Sequence, residues 1–517
     1  MRNEKKQFTK AAGIIGIFTL ISRFLGFVRD MVIAWFFGAG LLTDAFFVAF
    51  RLPNLFRRFF GEGSLTVAFI PVFSEHMTTF GKDEAFQMAR SAVRMLSVIL
   101  VIITIIGIIA APGIVALIAP GFIGAQFSMT VLLTRIMFPY IFFICLVALS
   151  MGILNVLGHF AAPALAPILL NLSMIAAVLF ISPSLSDPTI GLAIGVIIGG
   201  ILQLLLQIPF LVQKGFYFWQ KANFYHPGLK KIGRLMIPSV FGAAVYQINI
   251  LIGTLLASFL AEGSISYLYY ADRLVQFPLG LFAISMSVAI LPSLSRQAAS
   301  RDMQALTDTF TYAIKLIFFI TIPAMTGLMV LRHPIVALLF ERGAFDPISS
   351  RHTADALLYF SVGLWAFSGV RIVVSTFYAL QDTKTPVKMA TVSVFANIVL
   401  CLILMGPLAH AGLALATSLS SMLNFILLIL ALRKKLGDLG GKKIIESIAK
   451  SMICAFVMGL SLQVFVCFHN TEKTSSAFSQ LWVVFAGIFI GISVYGMTAY
   501  VLKCQELKDI IKIFKKG

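Results

Sequence analysis

Long apolar stretches, each about 20 residues or more, alternate with short polar segments along the whole chain. Each stretch is long enough to cross a hydrocarbon core of about 30 Å as a single helix. The pattern therefore predicts an all-α polytopic membrane protein with about 14 transmembrane helices. The predicted spans are 11–38, 43–75, 92–112, 127–154, 162–182, 189–213, 232–260, 266–295, 308–331, 352–380, 386–405, 411–432, 448–468 and 479–502.

Composition supports the membrane assignment. Of the 517 residues 59% are hydrophobic and only 12% are charged, and the mean hydropathy is +0.96. These values lie outside the range of soluble proteins. The five cysteines are scattered without metal-ligand spacing or a pairing pattern, and the seven histidines fall mostly in predicted loops. We therefore predict no disulfide, no metal site and no cofactor.

The net charge of +19 is distributed unevenly about the predicted spans. With the N-terminus inside, 27 of the 40 Lys and Arg lie in or beside the cytoplasmic segments, 4 lie in the opposite segments and 9 lie within spans. This asymmetry is the positive-inside rule, and it predicts that both termini are cytoplasmic. Most of the positive charge is thereby explained by topology, so we predict no nucleic-acid partner.

Two segments of the chain resemble each other. The segment beginning Phe50-Arg51-Leu52 is similar to the one beginning Asp272-Arg273-Leu274, and Ile70-Pro71 matches Leu291-Pro292 at nearly the same offset. An even number of spans separates the matches, so the two halves have the same orientation, as in transporters built from parallel repeats. We predict an N-terminal lobe of spans 1–6 (1–225), a second lobe of spans 7–12 (226–435), and two extra helices with a basic tail (436–517).

Charged residues inside the membrane are costly and mark watery cavities or ion pairs. Four clear acids lie within the predicted spans: Asp30, Asp44, Glu62 and Asp272. They are outnumbered by nine cations: Arg23, Arg29, Arg51, Arg57, Arg58, Arg135, Arg273, Lys315 and Arg371. Six of these cations belong to the first two spans and the related eighth span. This excess of positive charge predicts a site for an anion.

Helix geometry indicates which of these groups share a face. Arg51, Arg58 and Glu62 form one polar stripe, and Arg23 shares a face with Asp30 but not with Arg29. Other interpretations stay open for several cations. Interfacial side chains explain Arg51 and Arg135 equally well, and structural roles explain Lys315 and Arg371 equally well. An interfacial basic pair is an alternative for Arg57 and Arg58.

No enzyme signature accompanies these charges. The glycine-rich segment 195–200 lies in an apolar helix and lacks the Lys and Ser or Thr of a phosphate-binding loop. Such a segment is typical of a helix-packing surface. We therefore predict a protein that is not an enzyme and has no nucleotide-binding domain.

Several motifs of the chain combine charged residues with glycine, proline or aromatic residues. They are Ser22-Arg23-Phe24-Leu25-Gly26-Phe27-Val28-Arg29-Asp30, Thr43-Asp44-Ala45-Phe46-Phe47, Leu52-Pro53-Asn54-Leu55, Gly61-Glu62-Gly63, Tyr269-Tyr270-Ala271-Asp272-Arg273-Leu274 and Gln381-Asp382-Thr383-Lys384-Thr385-Pro386. These motifs closely resemble those of the MurJ (MviN) lipid II flippase family, and the similarity extends over almost the whole chain.

The resemblance implies a fold, a site and a substrate. The family belongs to the multidrug, oligosaccharidyl-lipid and polysaccharide exporter superfamily, whose members have two six-helix lobes. The resemblance places Arg23, Arg29, Arg57 and Arg273 against the diphosphate of lipid II. It assigns cavity or gating positions to Asp30, Asp44 and Glu62, and Arg58 and Asp272 complete the predicted cavity.

The predicted activity is the movement of lipid II, an undecaprenyl-diphosphate-linked muropeptide, to the outer leaflet of the bacterial inner membrane by alternating access. The resemblance also implies contacts with membrane lipids, cell-wall synthesis enzymes as partners, and a monomeric protein. The alternatives are an exporter of another polyprenyl-linked glycan, a drug or ion antiporter, an enzyme acting on polyprenyl phosphates and a non-transporting scaffold. The dominance of bases over acids argues against a cation exporter.

Overall fold

The computed structural model describes residues 2–60, 64–221, 223–469 and 477–516, and these ranges contain helices and no strand. The all-α prediction is confirmed. The helices are α1 Arg2–Phe37, α2 Leu41–Phe60, α3 Ser64–Thr79, α4 Lys82–Ile118, α5 Gly124–Met137, α6 Tyr140–Val156, α7 Ala161–Ala176, α8 Pro188–Gln213, α9 Pro227–Ala257, α10 Ser264–Pro278, α11 Ser285–Ala299, α12 Met303–Val330, α13 Arg332–Phe340, α14 Pro347–Val362, α15 Leu364–Ala379, α16 Lys384–Leu436, α17 Gly441–His469, α18 Ala477–Val501 and α19 Gln505–Lys516.

The described residues include nine helices that are long and apolar enough to cross a membrane, or ten if one bent pair is a single span. The polytopic membrane architecture is thus confirmed, while the total of about 14 spans stays a prediction. All five cysteines are free thiols, as predicted.

Several predicted spans are broken or bent. The span 43–75 consists of α2 and α3, and the span 352–380 consists of α14 and α15, which bend by 43° at Gly363. The loop predicted between spans 386–405 and 411–432 is a sharp kink within α16 at Ala409, where φ is 48° and ψ is −130°. Pro407 lies two residues earlier, and proline disrupts the hydrogen bonds of a helix interior.

By contacts the chain divides into two compact units, Met1–Ile265 and Ser266–Gly517. In the first unit α7 and α8 pack closely through small residues. A Cβ atom built on Gly195 would lie 2.5 Å from the Cβ of Ala177, and one on Gly199 would lie 2.5 Å from Oγ of Ser173. No side chain fits at either position, so the interpretation of segment 195–200 as a helix-packing surface is confirmed.

The second unit has its core around α12, which packs against α15 and α17. Tyr495 of α18 donates a hydrogen bond to the carbonyl oxygen of Phe319 over 2.8 Å. The two extra helices are therefore integral to this unit. The predicted lobe boundaries at 225/226 and 435/436 rest on the repeat and stay predictions.

Candidate functional site

Arg29 is buried on α1 in a network of polar side chains. Its Nη2 and Nε atoms donate to one carboxylate oxygen of Asp30 over 2.6 and 3.0 Å, and Nη1 donates to Oδ1 of Asn171 over 3.2 Å. The side chains of Arg29 and Asp30 are 7% and 1% exposed. The helical wheel predicts Asp30 on the face of Arg23, yet its carboxylate is paired with Arg29. The charge of Arg29 is thereby balanced inside the protein.

Asn171 is the residue of α7 that completes this network. Its amide nitrogen donates to the carbonyl oxygen of Ser22 over 3.0 Å, while its oxygen accepts from Arg29. Gly26 lies beside this amide, and a Cβ atom there would be in ordinary van der Waals contact with the amide nitrogen at 3.5 Å. One side chain thus fixes α7 to α1 at the level of the two arginines. Sequence reasoning missed Asn171, because an asparagine in an apolar helix carries no charge.

Arg23 contrasts with Arg29 on the same helix. Its side chain is exposed, and it has no hydrogen-bond or ion-pair partner within the described part of the chain. An arginine remains charged at any depth and presents five donors in a planar fork. Arg23 can therefore form two parallel hydrogen bonds to a phosphate oxygen pair without losing an existing contact.

The polar residues of α2 have different surroundings. Asp44 is buried near the start of the helix, and its carboxylate accepts a hydrogen bond from the backbone nitrogen of Gly263 over 2.7 Å. Arg57 is half-buried, and its Nε donates to Oδ1 of Asn54 over 3.1 Å. Arg58 is also half-buried. Glu62, predicted on the stripe of Arg51 and Arg58, lies outside the described residues.

In the second unit Arg273 and Asp272 are both supported by residues one helical turn away on α10. Arg273 donates to the hydroxyl oxygen of Tyr269 over 2.9 and 3.3 Å, and its guanidinium carbon lies 5.1 Å from the centre of the Tyr269 ring. Asp272 accepts a hydrogen bond from Gln276. These contacts hold the Arg273 side chain along its own helix. Tyr269 belongs to the quoted motif, but sequence reasoning assigned it no role.

Lys315 is the clearest structural cation in the predicted spans. Its ammonium nitrogen lies 2.9 Å from Oε1 of Glu506, whose same oxygen accepts a hydrogen bond from Ser447 over 2.8 Å. The side chains of Lys315 and Glu506 are 19% and 7% exposed. Glu506 is not among the four acids of the predicted spans, because it lies in the tail after the last span. Of the other cations left open, Arg135 donates to the carbonyl oxygen of Ile108, and Arg371 is exposed.

Sequence and structure comparisons identify similar proteins. A family model described as "Lipid II flippase MurJ" matches residues 33–484. A protein of Vibrio cholerae named "Probable lipid II flippase MurJ" is 42% identical over 432 residues, which cover 82% of each chain. A protein of Haemophilus influenzae with the same name is 37% identical over 504 residues, covering 94% of this chain and 98% of the relative.

Solved structures agree with these relatives. A structure described as "Lipid II flippase MurJ, inward closed conformation" is 29% identical, has a TM-score of 0.79, and is matched over 96% of this chain and 99% of its own. An inward-facing multidrug resistance MATE family transporter of the MOP superfamily has a TM-score of 0.69 at 18% identity, covering 81% of this chain and 96% of that one. The second likeness concerns the fold alone.

Proposed function

This chain belongs to the lipid II flippase MurJ family, and from that premise we propose that it carries lipid II from the inner to the outer leaflet of the cytoplasmic membrane for cell wall synthesis. The observation that carries the proposal is the family match over residues 33–484, supported by relatives that cover nearly the whole chain. The helical membrane fold and the cations described above supply the physical means.

The chemistry of the substrate explains the need for these cations. Lipid II combines a diphosphate, a sugar and a peptide with a long hydrocarbon tail, and an uncompensated charge does not enter a bilayer unaided. We propose that Arg23, Arg29, Arg57 and Arg273 bind the diphosphate while the tail remains in lipid, and that Asp30, Asp44, Arg58, Glu62 and Asp272 shape or gate the cavity. Alternating access then releases the headgroup on the other side.

The contacts assign different parts to the arginines of α1. Arg29 is already paired with Asp30. To bind a phosphate, Arg29 must therefore either give up its contact with that carboxylate or contact both anions. Arg23 has no such partner within the described residues, and its exposed fork is ready for an anion. We therefore propose that Arg23 makes the first contact of α1 with the diphosphate, and that Arg29 and Asp30 respond to the bound charge.

We propose that the chain transports without catalysing a reaction. The carboxylates of Asp30 and Asp44 both accept hydrogen bonds from protein groups, namely the Arg29 side chain and the Gly263 nitrogen. Both carboxylates are therefore already in contact with groups of the protein. We further propose that both termini face the cytoplasm, that the protein works as a monomer, and that cell-wall synthesis enzymes receive its substrate.

A leaflet-resolved assay of lipid II tests the proposal. Depletion of this protein should trap lipid II in the inner leaflet, and resupply should restore its appearance outside. The alternative, transport of another polyprenyl-linked glycan, predicts normal lipid II distribution and accumulation of the other glycan. Normal distribution of lipid II in fully depleted cells would overturn the proposed function.

A further inference from the structure

Three potential metal ligands meet where α3, α4 and α9 come together in the first unit. His76 lies in the last turn of α3, Glu84 lies in the first turn of α4, and His226 directly precedes α9. One ligand atom from each residue lies within 4.8 Å of the other two. Sequence analysis predicted no metal site, because the seven histidines fall mostly in predicted loops.

The contacts of these side chains leave coordinating capacity. Nε2 of His226 lies 2.8 Å from a carboxylate oxygen of Glu84, and the two imidazole rings are 5.4 Å apart between centres. Nδ1 of His76 is buried and has no hydrogen-bond partner within the described residues.

Gly228 keeps the space between these groups open. A Cβ atom at this position would lie 3.1 Å from Nε2 of His76, 3.1 Å from Nδ1 of His226 and 2.5 Å from the sulfur of Met88. Any side chain here would therefore fill the space that the two imidazoles and the thioether border. A nearby carboxylate, Glu75, is already paired with Lys231, so Glu84 is the acid that faces the histidines.

We propose that His76, Glu84 and His226 bind a divalent first-row transition metal ion of the Zn²⁺ type. Two imidazoles and one carboxylate are a common zinc ligand set, and they disfavour Mg²⁺ and Ca²⁺, which prefer oxygen ligands. Ligand atoms in a tetrahedral zinc site are about 3.4 Å apart, so the ion draws the three side chains together by small rotations. The ion joins the ends of three helices.

Metal binding by His226 has a structural consequence. Nδ1 of His226 now accepts a hydrogen bond from the backbone nitrogen of Gly228 over 3.0 Å and so caps α9. A neutral imidazole with a metal on Nε2 carries its proton on Nδ1, which then no longer accepts that bond. The ion therefore replaces the helix cap as the anchor of the start of α9, and Gly228 loses its partner when the metal binds.

Metal binding to the purified full-length protein, without a polyhistidine tag and in detergent, tests the proposal. After equilibrium dialysis against Zn²⁺, we expect one tightly held ion per chain. His76→Ala, Glu84→Gln and His226→Asn should each lower the affinity at least tenfold. Asparagine also caps helices, so His226→Asn separates the loss of the metal ligand from loss of the cap. Millimolar Mg²⁺ should not compete.

His159→Ala is the matched control, because His159 is a partly buried histidine of the same unit outside the cluster. It should bind zinc like the unchanged protein. Hydrogen exchange at Gly228 should become faster when Zn²⁺ binds. Zinc retention equal in the unchanged protein and all three variants would place the ion elsewhere and overturn the proposal, as would failure of the unchanged protein to retain zinc.

Discussion

The polar face of α1 and the contact between α12 and α19 show two ways of keeping a cation in a membrane protein. Lys315 of α12 is paired with Glu506, and Arg29 of α1 is paired with Asp30. Arg23, on the same helix as Arg29, is exposed and has no partner within the described residues. Arg29, which is buried, and Lys315, which is half-buried, thus each have a carboxylate nearby, and the exposed Arg23 retains its full charge for a ligand.

This difference changes how intramembrane charges are interpreted. Nine cations outnumber four acids within the predicted spans, which suggests a general excess of positive charge. The structure shows that charges are balanced in individual pairs. The carboxylate that pairs with Lys315 belongs to Glu506, which follows the last predicted span. A cation therefore becomes a candidate for substrate binding through its exposure and contacts. The following predictions test that distinction in order of their expected effect on stability.

Arg29→Ala should have the largest effect on stability. It leaves the buried carboxylate of Asp30 without its guanidinium partner, and breaking a buried ion pair costs about 3–5 kcal/mol. We expect a strong loss of membrane abundance and of flipping, measured by immunoblot and by complementation of a depleted strain. The double variant Arg29→Met with Asp30→Leu should regain abundance but not flipping. Normal abundance of Arg29→Ala would contradict a structural part for the pair.

Lys315→Met should lower the free energy of unfolding by a smaller amount, about 2 kcal/mol. Ser447 continues to donate a hydrogen bond to Glu506, and Lys315 is partly exposed. Sequence analysis left a structural role open for Lys315. The structure predicts reduced thermal stability with unchanged flipping per molecule. Adding Glu506→Gln should restore stability. A Lys315→Met protein that melts normally would show that the contact contributes nothing.

Arg23→Ala should change stability by less than about 0.5 kcal/mol, as for other exposed positions without partners. We nevertheless expect it to abolish flipping, and Arg23→Lys to restore it only partly, because lysine keeps the charge but loses the bidentate fork. Arg371→Ala is the matched control, since it also removes an exposed cation from a predicted span, and it should remain active. Growth supported by Arg23→Ala at normal abundance would remove Arg23 from the proposed site.

Reporter fusions should not alter stability, and they establish which side of the membrane each region faces. Fusions after Lys82, Lys221, Lys442 and Lys516 should report cytoplasm, and fusions near Gly121, Glu341 and Asn470 should report periplasm, following the positive-inside rule. Inverted activity of any neighbouring pair would require a different number of spans between them.

Much of the fold was predictable, and its irregularities were less so. Hydropathy found the apolar segments, but it joined α14 to α15, because a bend leaves the average hydropathy of a span unchanged. The glycines of α8 were correctly interpreted as packing positions. Of the candidate site, only the charged residues were predicted from the sequence. Asn171 and Tyr269, which hold two of the arginines, are uncharged, so a search for charged residues within the spans did not find them.

The membrane class, the helical architecture and the family follow from the amino-acid sequence alone, because hydropathy and motifs are properties of consecutive residues. The pairing of charges follows from the way the helices pack. Lys315 of α12 pairs with Glu506 of α19, and His226 meets Glu84 across 142 positions of the chain. Whether a cation such as Lys315 is balanced depends on distances between side chains that are far apart in the chain. These distances follow from helix packing, which no local pattern of residues records.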